Sequence, residues 1–368
     1  MLSHGSNVFV TGATGLIGGE LVRTLVRQPV GKVWALIRPV QHAAPARRLA
    51  ERLARSGDPP GAEAAVRAMG GDVAQPGLGL SAAAYDEITA EADLIIHSAA
   101  ETSFIRAAAC RRTNVAGAEN LIAFARACRR RPLLVCLSTA YVSGVGANAC
   151  ISEDDFRPEN DHHNEYTRSK AVAEELVRRS GLPVLVVRPS IVLSAGLPDP
   201  LFARAILGFA PLLRELNAVP VNPLARADIV PVQFVVDSIL RLLERPALRY
   251  DCYHISAGEA VTPSHGQLAP VVDRFYGRAT PLRLVPPRDW TREVHRRYIG
   301  TPEQRRVFAT MRNYLPFLNM NVLYDNSRLR EELGERFPPL LPLHAYLADL
   351  LRLIDNPPPA RLVRLGRG

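Results

Sequence analysis

The stretch NVFVTGATGLIGGELVRTLVRQ, residues 7–28, decides how this chain folds. A short apolar segment is followed by Gly12, Gly15 and Gly18, in the spacing G-x-x-G-x-x-G, and then by an amphipathic segment. Glycines there allow a tight turn and let backbone N–H groups approach a pyrophosphate at the start of a helix. The stretch predicts a strand, a dinucleotide-binding glycine loop and a helix. A plain strand-to-helix turn is the alternative.

Apolar strands continue to alternate with helices through roughly the first half of the chain. Further strands are predicted in KVWALIRP (32–39), DLIIHSAA (93–100), LLVCLST (133–139) and LPVLVVRPSIV (182–192). The alanine- and arginine-rich stretch up to about Met69 is predicted to be helical. Continuous apolar strands alternating with helices indicate a parallel sheet that is covered on both faces. We therefore predict an α/β fold with a doubly wound, Rossmann-type parallel sheet.

The pattern changes after about Leu197, where prolines multiply and helical segments dominate. We predict an NADP-binding Rossmann domain over residues 1–196 and a smaller, mainly helical substrate-binding lobe with a tail over 197–368. The segments RADIVPVQFVVDSILRLLER (226–245) and DCYHISAGEAVT (251–262) are predicted to be a helix and a strand that return to the main sheet near 226–258. The last residues, from Asp355, are expected to be a poorly packed tail.

Composition narrows the class of protein and the kinds of partner. A hydrophobic content of 47% over 368 residues is enough for a large core. No apolar run reaches the length of about 18 residues that a membrane span needs, and the first strand begins too early to leave room for a signal peptide. We expect a cytoplasmic protein without a transmembrane segment. The five cysteines lack metal-ligand spacing, so we predict neither a metal site nor a disulfide.

The net charge of +9 suits anionic ligands such as nucleotide phosphates, coenzyme A or an acidic carrier protein. General arginine enrichment of the surface is the alternative, since only Lys32 and Lys170 among the 45 basic residues are lysines. No nucleic-acid-binding motif occurs, and nucleic acid is not an expected partner. The oligomeric state is left open, with a homodimer as one option.

The second predicted strand indicates which dinucleotide binds. An acidic residue about 20 positions after the glycines would hold the ribose 2′-hydroxyl of NAD, whereas arginine suits the 2′-phosphate of NADP. Residues 30–41 contain no acid, and Arg38 stands at the end of the strand, with Arg47 and Arg48 close behind. NADPH is the predicted cofactor, although chance placement of arginine is an alternative in so arginine-rich a chain.

Tyr166 and Lys170 lie four residues apart in a predicted helix, so both side chains share one face. A free phenol has a pKa of about 10, and a nearby ammonium is expected to lower it toward neutrality. Ser138 and Thr139 end a predicted strand, where a hydroxyl could stabilise a carbonyl oxygen that gains charge or simply cap the strand. Asn114 is placed at the start of a predicted helix, where it could be an ordinary N-cap.

Together these residues resemble the extended type of the short-chain dehydrogenase/reductase superfamily, and within it fatty acyl-CoA reductases and carrier-protein thioester reductase domains. The likeness covers roughly the first 200 residues and continues weakly over 227–239. It rests on TGATGLIGG (11–19), LIRP (36–39), GDVAQPGLGLS (71–81), HSAAETSF (97–104), NVAG (114–117), LSTAYVSG (137–144), YTRSK (166–170) and VRPSIV (187–192).

The resemblance implies a role for each matching residue. Tyr166 would donate the proton, Lys170 would tune it and touch the nicotinamide ribose, Thr139 rather than Ser138 would stabilise the oxyanion, and Asn114 would order a water relay. Arg188, Pro189 and Ser190 would close over the nicotinamide, and Asp72 and Val73 would flank the adenine. The implied cofactor-binding residues are Gly12, Thr14, Gly15, Leu16, Ile17, Arg38, Asp72, Val73, Ala99, Lys170, Pro189 and Ser190.

The implied activity is NADPH-dependent reduction of an acyl-CoA or acyl-carrier-protein thioester to an aldehyde, with reduction to an alcohol left open. A first alternative is an extended-type reductase, dehydrogenase or epimerase that acts on a ketone, a sterol-like compound or a nucleotide sugar. A second is an NADP-binding regulatory protein without catalysis, which would be expected to lack the Tyr166/Lys170 pair.

Overall fold

A computed structural model describes residues 2–40, 43–55, 62–145, 150–157, 159–194 and 210–355. The predicted boundary between residues 196 and 197, the proline-rich stretch that follows it and nearly all of the predicted tail lie outside these ranges. No helix within the described ranges is long and apolar enough to cross a membrane.

A seven-stranded, wholly parallel sheet organises the first two thirds of the chain, as the alternating pattern predicts. Its strand order is β3-β2-β1-β4-β5-β7-β11, so the direction of winding reverses between β1 and β4. The strands are β1 (Val8–Thr11), β2 (Val33–Ile37), β3 (Arg67–Gly70), β4 (Leu94–His97), β5 (Leu133–Leu137), β7 (Val184–Pro189) and β11 (Cys252–Ile255).

Three small parallel two-stranded sheets complete the β structure of the described residues. They pair β6 (Cys150–Ile151) with β13 (Leu323–Tyr324), β8 (Ile191–Leu193) with β10 (Ile229–Pro231), and β9 (Ala218–Val219) with β12 (Arg283–Leu284).

Helices of the first part of the chain cover the two faces of the main sheet. They are α1 (Leu16–Leu25), α2 (Pro45–Arg55), α3 (Ala82–Glu91), α4 (Ala107–Cys110), α5 (Gly117–Ala127), α6 (Glu165–Arg178) and α7 (Val232–Leu243). The remaining helices are α8 (His265–Tyr276), α9 (Arg292–Tyr298), α10 (Pro302–Met311), α11 (Leu315–Leu318), α12 (Ser327–Leu333) and α13 (Leu347–Asp355).

Successive side chains of each strand point to opposite faces of the main sheet, and each face packs against its own hydrophobic core. In β1, Val8 and Val10 face a core that includes side chains of α1, α2, α7 and α12, whereas Phe9 faces a core that includes side chains of α3, α5 and α6. Apart from β3, the strands of the main sheet are buried on both faces because helices cover both, which is why the sequence shows continuous apolar runs rather than alternation.

The prediction of helix up to Met69 is wrong, because α2 ends at Arg55 and Arg67–Gly70 forms β3. The sequence RAMG contains no β-branched or aromatic residue, so nothing in its composition is typical of a strand. It pairs only with β2, at the edge of the sheet, where Trp34 lies opposite Arg67. The pairing, rather than local preference, makes this segment a strand.

The predicted returning segments do reach the main sheet. β11 pairs with β7, and α7 packs in the same core as α1. The preceding strand β10 pairs with β8 instead, because the predicted strand 182–192 is divided at Ser190 into β7 and β8. The mainly helical C-terminal region has a core of its own, built from β8 to β10, α8, α10 and α13, with α11 packed against it.

Candidate active site

The glycine loop between β1 and α1 is shaped for close approach of a ligand to the backbone. Gly12 has a φ of +75°, and a Cβ there would lie 2.5 Å from the backbone nitrogen of Ala99. A Cβ on Gly18 would overlap the carbonyl oxygen of Gly12. Gly15 has extended backbone and caps α1 without a side chain, which leaves the first N–H groups of the helix open to an anion. This cradle fits a dinucleotide pyrophosphate.

Arg52 stabilises this loop through hydrogen bonds to its backbone carbonyl groups. This residue was not identified from the sequence. Its guanidinium, buried between α1 and α2, donates to the carbonyl oxygens of Gly15 and Leu16, both at 3.2 Å. It also forms an ion pair of 2.9 Å with the fully buried Glu20. Gly19 makes room for it, since a Cβ at Gly19 would lie 2.5 Å from Nε of Arg52.

The residues expected at the adenine end lie after β2 and β3. Arg38 is exposed directly after β2, and its carbonyl oxygen accepts a hydrogen bond from Arg48. Asp72 accepts a hydrogen bond of 3.0 Å from the backbone of Ala74, and Val73 is buried against α5, where Asn120 donates to its carbonyl oxygen. The cationic Arg38 and the absence of an acid at this strand end suit a 2′-phosphate.

Thr139, Tyr166 and Lys170 meet at the carboxyl ends of β4 and β5. Thr139 follows β5; its hydroxyl lies near the phenol of Tyr166 and donates a 3.5 Å hydrogen bond to the carbonyl oxygen of Pro189. Lys170 is buried, and its ammonium donates a 2.6 Å hydrogen bond to the carbonyl oxygen of Leu137. Asn164 caps α6 by accepting from the backbone of Thr167, so Tyr166 and Lys170 occupy successive turns of one helix.

The electrostatics of this group differ from the sequence-based expectation. Burial raises the pKa of Tyr166 to about 12, and the neighbouring Thr139 hydroxyl opposes that rise. Burial also lowers the pKa of Lys170 itself. The pKa of His97 falls to about 3 because it is buried and because Lys170 lies near it. Tyr166 therefore holds a proton, and the imidazole beside Lys170 is neutral.

Thr139 caps the turn that follows β5, which is one of the two roles that its position suggested. Its hydroxyl oxygen accepts a 3.4 Å hydrogen bond from the backbone of Tyr141 at the start of the turn Ala140–Ser143. The cap fixes the side chain at the strand end.

Asn114 lies inside a helix and does not begin one. The helix starts at Ala107, continues through a π-helical turn over Arg111–Ala116 and passes into α5, so the predicted helix start at Asn114 is wrong. The Asn114 amide donates to the hydroxyl of Ser169 at 2.9 Å and to the carbonyl oxygen of Glu101 at 3.1 Å. It accepts a 2.8 Å hydrogen bond from the backbone of Glu101. Single π-turns of this kind are frequent at functional sites.

Ser169 is a second residue that the sequence did not single out. It is buried between Tyr166 and Lys170, donates to the carbonyl oxygen of Tyr166 at 2.9 Å and accepts the amide of Asn114. Ser169 therefore links α6 to the π-helical turn through hydrogen bonds. The only feature of the sequence that pointed to Ser169 was its position inside YTRSK.

The last expected cofactor residues flank the same edge of the sheet. The backbone of Ala99 donates to the Thr11 hydroxyl at 3.3 Å, and Pro189 and Ser190 end β7. Arg188 has a different role from the one implied, because its guanidinium points to the buried Glu174, with which it forms an ion pair of 2.6 Å. Within the described ranges, no three His, Cys, Asp or Glu side chains are grouped so as to hold a metal ion.

Aromatic side chains surround Tyr166 on the side away from the glycine loop. The ring of Phe104 lies 6.1 Å from that of Tyr166, measured between ring centroids, and stacks on Phe317 at 4.8 Å. Tyr141 contacts Phe317 edge to face at 5.4 Å. Phe317 belongs to the C-terminal region, so this region contributes directly to the surroundings of the candidate proton donor.

Comparison with known proteins relates this arrangement to reductases of biosynthetic assembly lines. In an alignment of 247 positions that covers 63% of this chain and 6% of the other protein, the chain is 32% identical to a trichosetin synthetase of Gibberella fujikuroi. In an alignment of 378 positions that covers 90% of this chain and 34% of the other protein, it is 27% identical to aldehyde reductase lnaA of Aspergillus flavus. The chain thus spans only a fraction of the length of these relatives.

Solved structures share the whole fold. The terminal R domain of the myxalamid PKS-NRPS pathway superposes with a TM-score of 0.78 at 24% identity, covering 96% of this chain and 92% of that one. The R domain of a Mycobacterium tuberculosis nonribosomal peptide synthetase gives 0.71 at 22% identity, with coverage of 96% and 93%. A thiolation-reductase di-domain from an archaeal nonribosomal peptide synthetase gives 0.75 at 19% identity, with coverage of 96% and 76%.

The family assignment rests on the sequence itself. Residues 10–239, more than half of the chain, match the family model described as male sterility protein, an NAD-binding family. The chain therefore belongs to this male sterility and thioester reductase family, within the extended type of the short-chain dehydrogenase/reductase superfamily.

Proposed function

We propose that the protein reduces an acyl thioester to an aldehyde and a free thiol with NADPH as cofactor. The observation that carries the proposal is the meeting of Thr139, Tyr166 and Lys170 at the strand ends, next to a glycine cradle that fits a dinucleotide. Membership in a thioester reductase family supports the electrophile, and the exposed Arg38 supports NADPH over NADH.

The residues of the chain supply the proton and the charge stabilisation. When bound, NADPH supplies the hydride that reduces the carbonyl carbon. The hydroxyls of Thr139 and Tyr166 donate hydrogen bonds to the carbonyl oxygen as it gains negative charge, and Tyr166 then gives it a proton. The resulting hemithioacetal collapses to the aldehyde and releases the thiol, so one thioester, one hydride and one proton give one aldehyde and one thiol.

We further propose that the thioester is presented on a carrier protein, with coenzyme A as the alternative source of the thiol. Support comes from the likeness to a di-domain in which a thiolation domain accompanies the reductase. The net charge of +9 is compatible with an acidic carrier. Two-step reduction to an alcohol would use the same hydroxyls, since an aldehyde oxygen needs the same hydrogen bonds.

A panel of substrates tests the proposal. Purified protein is mixed with NADPH or NADH and with acyl-coenzyme A thioesters, acyl-carrier thioesters, ketones and nucleotide sugars, while absorbance and products are followed together. We expect NADPH consumption and aldehyde formation with a thioester. Consumption with a ketone or sugar nucleotide, and with no thioester, would assign the protein to the alternative substrate class.

A Tyr166→Phe variant tests the role of the proton donor. Removal of a positioned general acid costs roughly 10²- to 10⁴-fold in rate, and we expect that loss in NADPH-dependent turnover. NADPH binding, measured by the fluorescence of the bound cofactor, should stay within a few fold of the wild-type value because Phe keeps the ring. Unchanged turnover in this variant would refute the mechanism and would leave a binding function without catalysis.

A further inference from the structure

Four aromatic side chains form a wall beside the proton donor, and the chemistry proposed above uses none of them. We define the aromatic wall as Phe104, Tyr141, Tyr314 and Phe317. Phe104 lies at its centre: its ring is 6.1 Å from Tyr166, 5.8 Å from Tyr314 and 4.8 Å from Phe317, the last pair being stacked. All four side chains are only half-buried, so each keeps an accessible surface.

Polar contacts hold the C-terminal part of this wall in place. His265 of α8 donates from Nε2 to the carbonyl oxygen of Leu318 at 2.8 Å. Asn319 accepts a 2.9 Å hydrogen bond from the backbone of Asn222 and donates to the carbonyl oxygens of Pro220 and Leu315 at 3.0 and 2.9 Å. The short helix α11 is therefore fastened at its end, and Phe317 is presented to Phe104 at a fixed position.

Geometry places the acyl group of a substrate against this wall. A carbonyl oxygen that accepts a hydrogen bond from Tyr166 lies about 3 Å from the phenolic oxygen. The ring of Phe104 lies beside that of Tyr166, so an acyl group that extends toward this side contacts Phe104 and, behind it, Phe317. The faces of these two phenylalanine rings bind hydrocarbon by burial and dispersion and offer no hydrogen bonds to hydroxyl or carboxylate groups. A polar acyl group would lose its water against these two rings without a replacement.

Building on the thioester reduction proposed above, we propose that Phe317, through its stack on Phe104, is a specificity-determining residue that selects thioesters with a hydrocarbon acyl group. The C-terminal region thus contacts the acyl group of the substrate, while the Rossmann part binds the cofactor and supplies the proton donor. The wall acts on recognition of the acyl chain, so its removal changes the preference between substrates and leaves cofactor binding intact.

Two thioesters of equal chain length test this. We would compare S-heptanoyl-N-acetylcysteamine with its 2-(2-methoxyethoxy)acetyl analogue, in which two methylene groups are replaced by ether oxygens. Their intrinsic reactivities differ, but that difference cancels when the ratio of kcat/KM values in a variant is divided by the ratio in the wild type. A Phe317→Ala variant should lower the preference for the heptanoyl thioester by roughly ten- to a hundredfold, the scale of one buried aromatic contact.

Matched variants distinguish a loss of acyl-chain recognition from a general loss of protein structure. Phe308 is a half-buried phenylalanine of the same region that stacks on Trp290 at 5.9 Å, away from Tyr166. Phe308→Ala should leave the substrate ratio at its wild-type value, and Phe317→Leu should recover part of the preference because it restores an apolar side chain. In Phe317→Ala, the affinity for NADPH should stay within about threefold of the wild type, in line with a loss confined to acyl-chain contacts.

Binding of a non-reducible probe keeps the two proposals distinguishable. The thioether S-heptyl-N-acetylcysteamine should bind the wild type, as measured by calorimetry, and should bind Phe317→Ala more weakly by a similar factor. If the wild type reduces no thioester, the proposed function fails. The binding result still shows whether the aromatic wall recognises a hydrocarbon group. An unchanged substrate ratio in a folded Phe317→Ala variant, or no binding of the thioether to the wild type, overturns the inference.

Discussion

Tyr166 retains its proton more tightly than a free phenol because the site around it is buried and the nearby ammonium is directed elsewhere. Burial raises its pKa to about 12, and the neighbouring Thr139 hydroxyl opposes that rise. The ammonium of Lys170 donates instead to the carbonyl oxygen of Leu137. For a reduction this is the useful state, because the residue that protonates the developing oxyanion must be protonated when hydride arrives.

The pH dependence of the proposed thioester reduction follows from that protonation state. In the proposed mechanism the active form of Tyr166 is the protonated one, and its folded-state pKa is about 12, so activity is lost only as pH rises through that value. We expect no falling limb from this residue below about pH 10. The rate of NADPH oxidation in a single turnover, followed at pH values between about 6 and 10.5, measures this pH dependence. His97, with a pKa of about 3, contributes nothing in this range.

A different profile would refute this account. If Lys170 lowered the pKa of Tyr166 toward neutrality, the rate of reduction would fall with an apparent pKa of about 7 or 8 as the phenol lost its proton. Such a limb in the wild type, absent from the residual activity of Tyr166→Phe, would show that the ammonium acts on the phenol during the reaction.

The shared helical face of Tyr166 and Lys170 could be predicted from the sequence, but the charge state of the phenol could not. The four-residue spacing of Tyr166 and Lys170 fixes a shared helical face wherever the helix is placed. The pKa of Tyr166 depends on burial and on the direction of the Lys170 side chain, which are set by β5 and the turn after it. Phe104 and Phe317 are far apart in the chain, and no local pattern links them.

At the scale of elements, the glycine loop depends on a contact between two helices. Arg52 of α2 crosses to α1, where it donates to the carbonyl oxygens of Gly15 and Leu16 and pairs with Glu20. The two helices can approach because Gly19 has no side chain. A buried ion pair adds little net stability but is costly to break, so its value here is to hold the first turn of α1 in position.

A Gly19→Ala variant tests this contact. Helix propensity alone would stabilise α1 by about 1 kcal/mol, but the new Cβ would lie 2.5 Å from Nε of a buried, hydrogen-bonded arginine. Overpacking costs about 1–3 kcal/mol, and displacing Arg52 adds the cost of a disturbed ion pair. We therefore expect a lower Tm and weaker NADPH binding, measured by thermal unfolding and by cofactor fluorescence.

Gly300→Ala is the control for that experiment, since a Cβ at Gly300 meets nothing closer than 3.9 Å. It should keep both the wild-type Tm and the wild-type affinity for NADPH. If Gly19→Ala were as stable as the wild type and bound NADPH equally well, Arg52 would have no part in shaping the loop.

The secondary-structure elements could be predicted where a segment has a local sequence pattern of its own. They could not be predicted where strand pairing or tertiary packing determines the structure. The apolar runs of β1, β2, β4 and β5 are typical of buried parallel strands. β3 becomes a strand only because β2 offers it a partner, and the π-turn at Asn114 forms where Glu101 and Ser169 satisfy its amide. Arg52 is one of many arginines in the sequence, and only tertiary structure distinguishes it.

At the scale of the whole molecule, the C-terminal region is tied back to the main sheet. Leu329 and Leu333 of α12 are buried in the same core as α1 and α7. The Glu332 carboxylate accepts hydrogen bonds from the Tyr253 hydroxyl at 2.8 Å and from the backbone of Arg249 at 2.9 Å. The helical region therefore completes the core beside β11, and the two predicted units share an interior.

This shared interior predicts a single cooperative unfolding transition. Leu329 is fully buried in the sheet core and Leu350 is nearly so in the helical core, and Leu→Ala changes at such sites cost about 2–5 kcal/mol. If the two cores unfold together, Leu329→Ala and Leu350→Ala should each lower the Tm of one common transition. Saturating NADPH should raise that Tm in both variants, because a ligand stabilises the whole cooperative unit to which it binds. Differential scanning calorimetry distinguishes the outcomes: two transitions, with only the Leu329-sensitive one shifted by NADPH, would show that the units at 1–196 and 197–368 unfold independently despite α12.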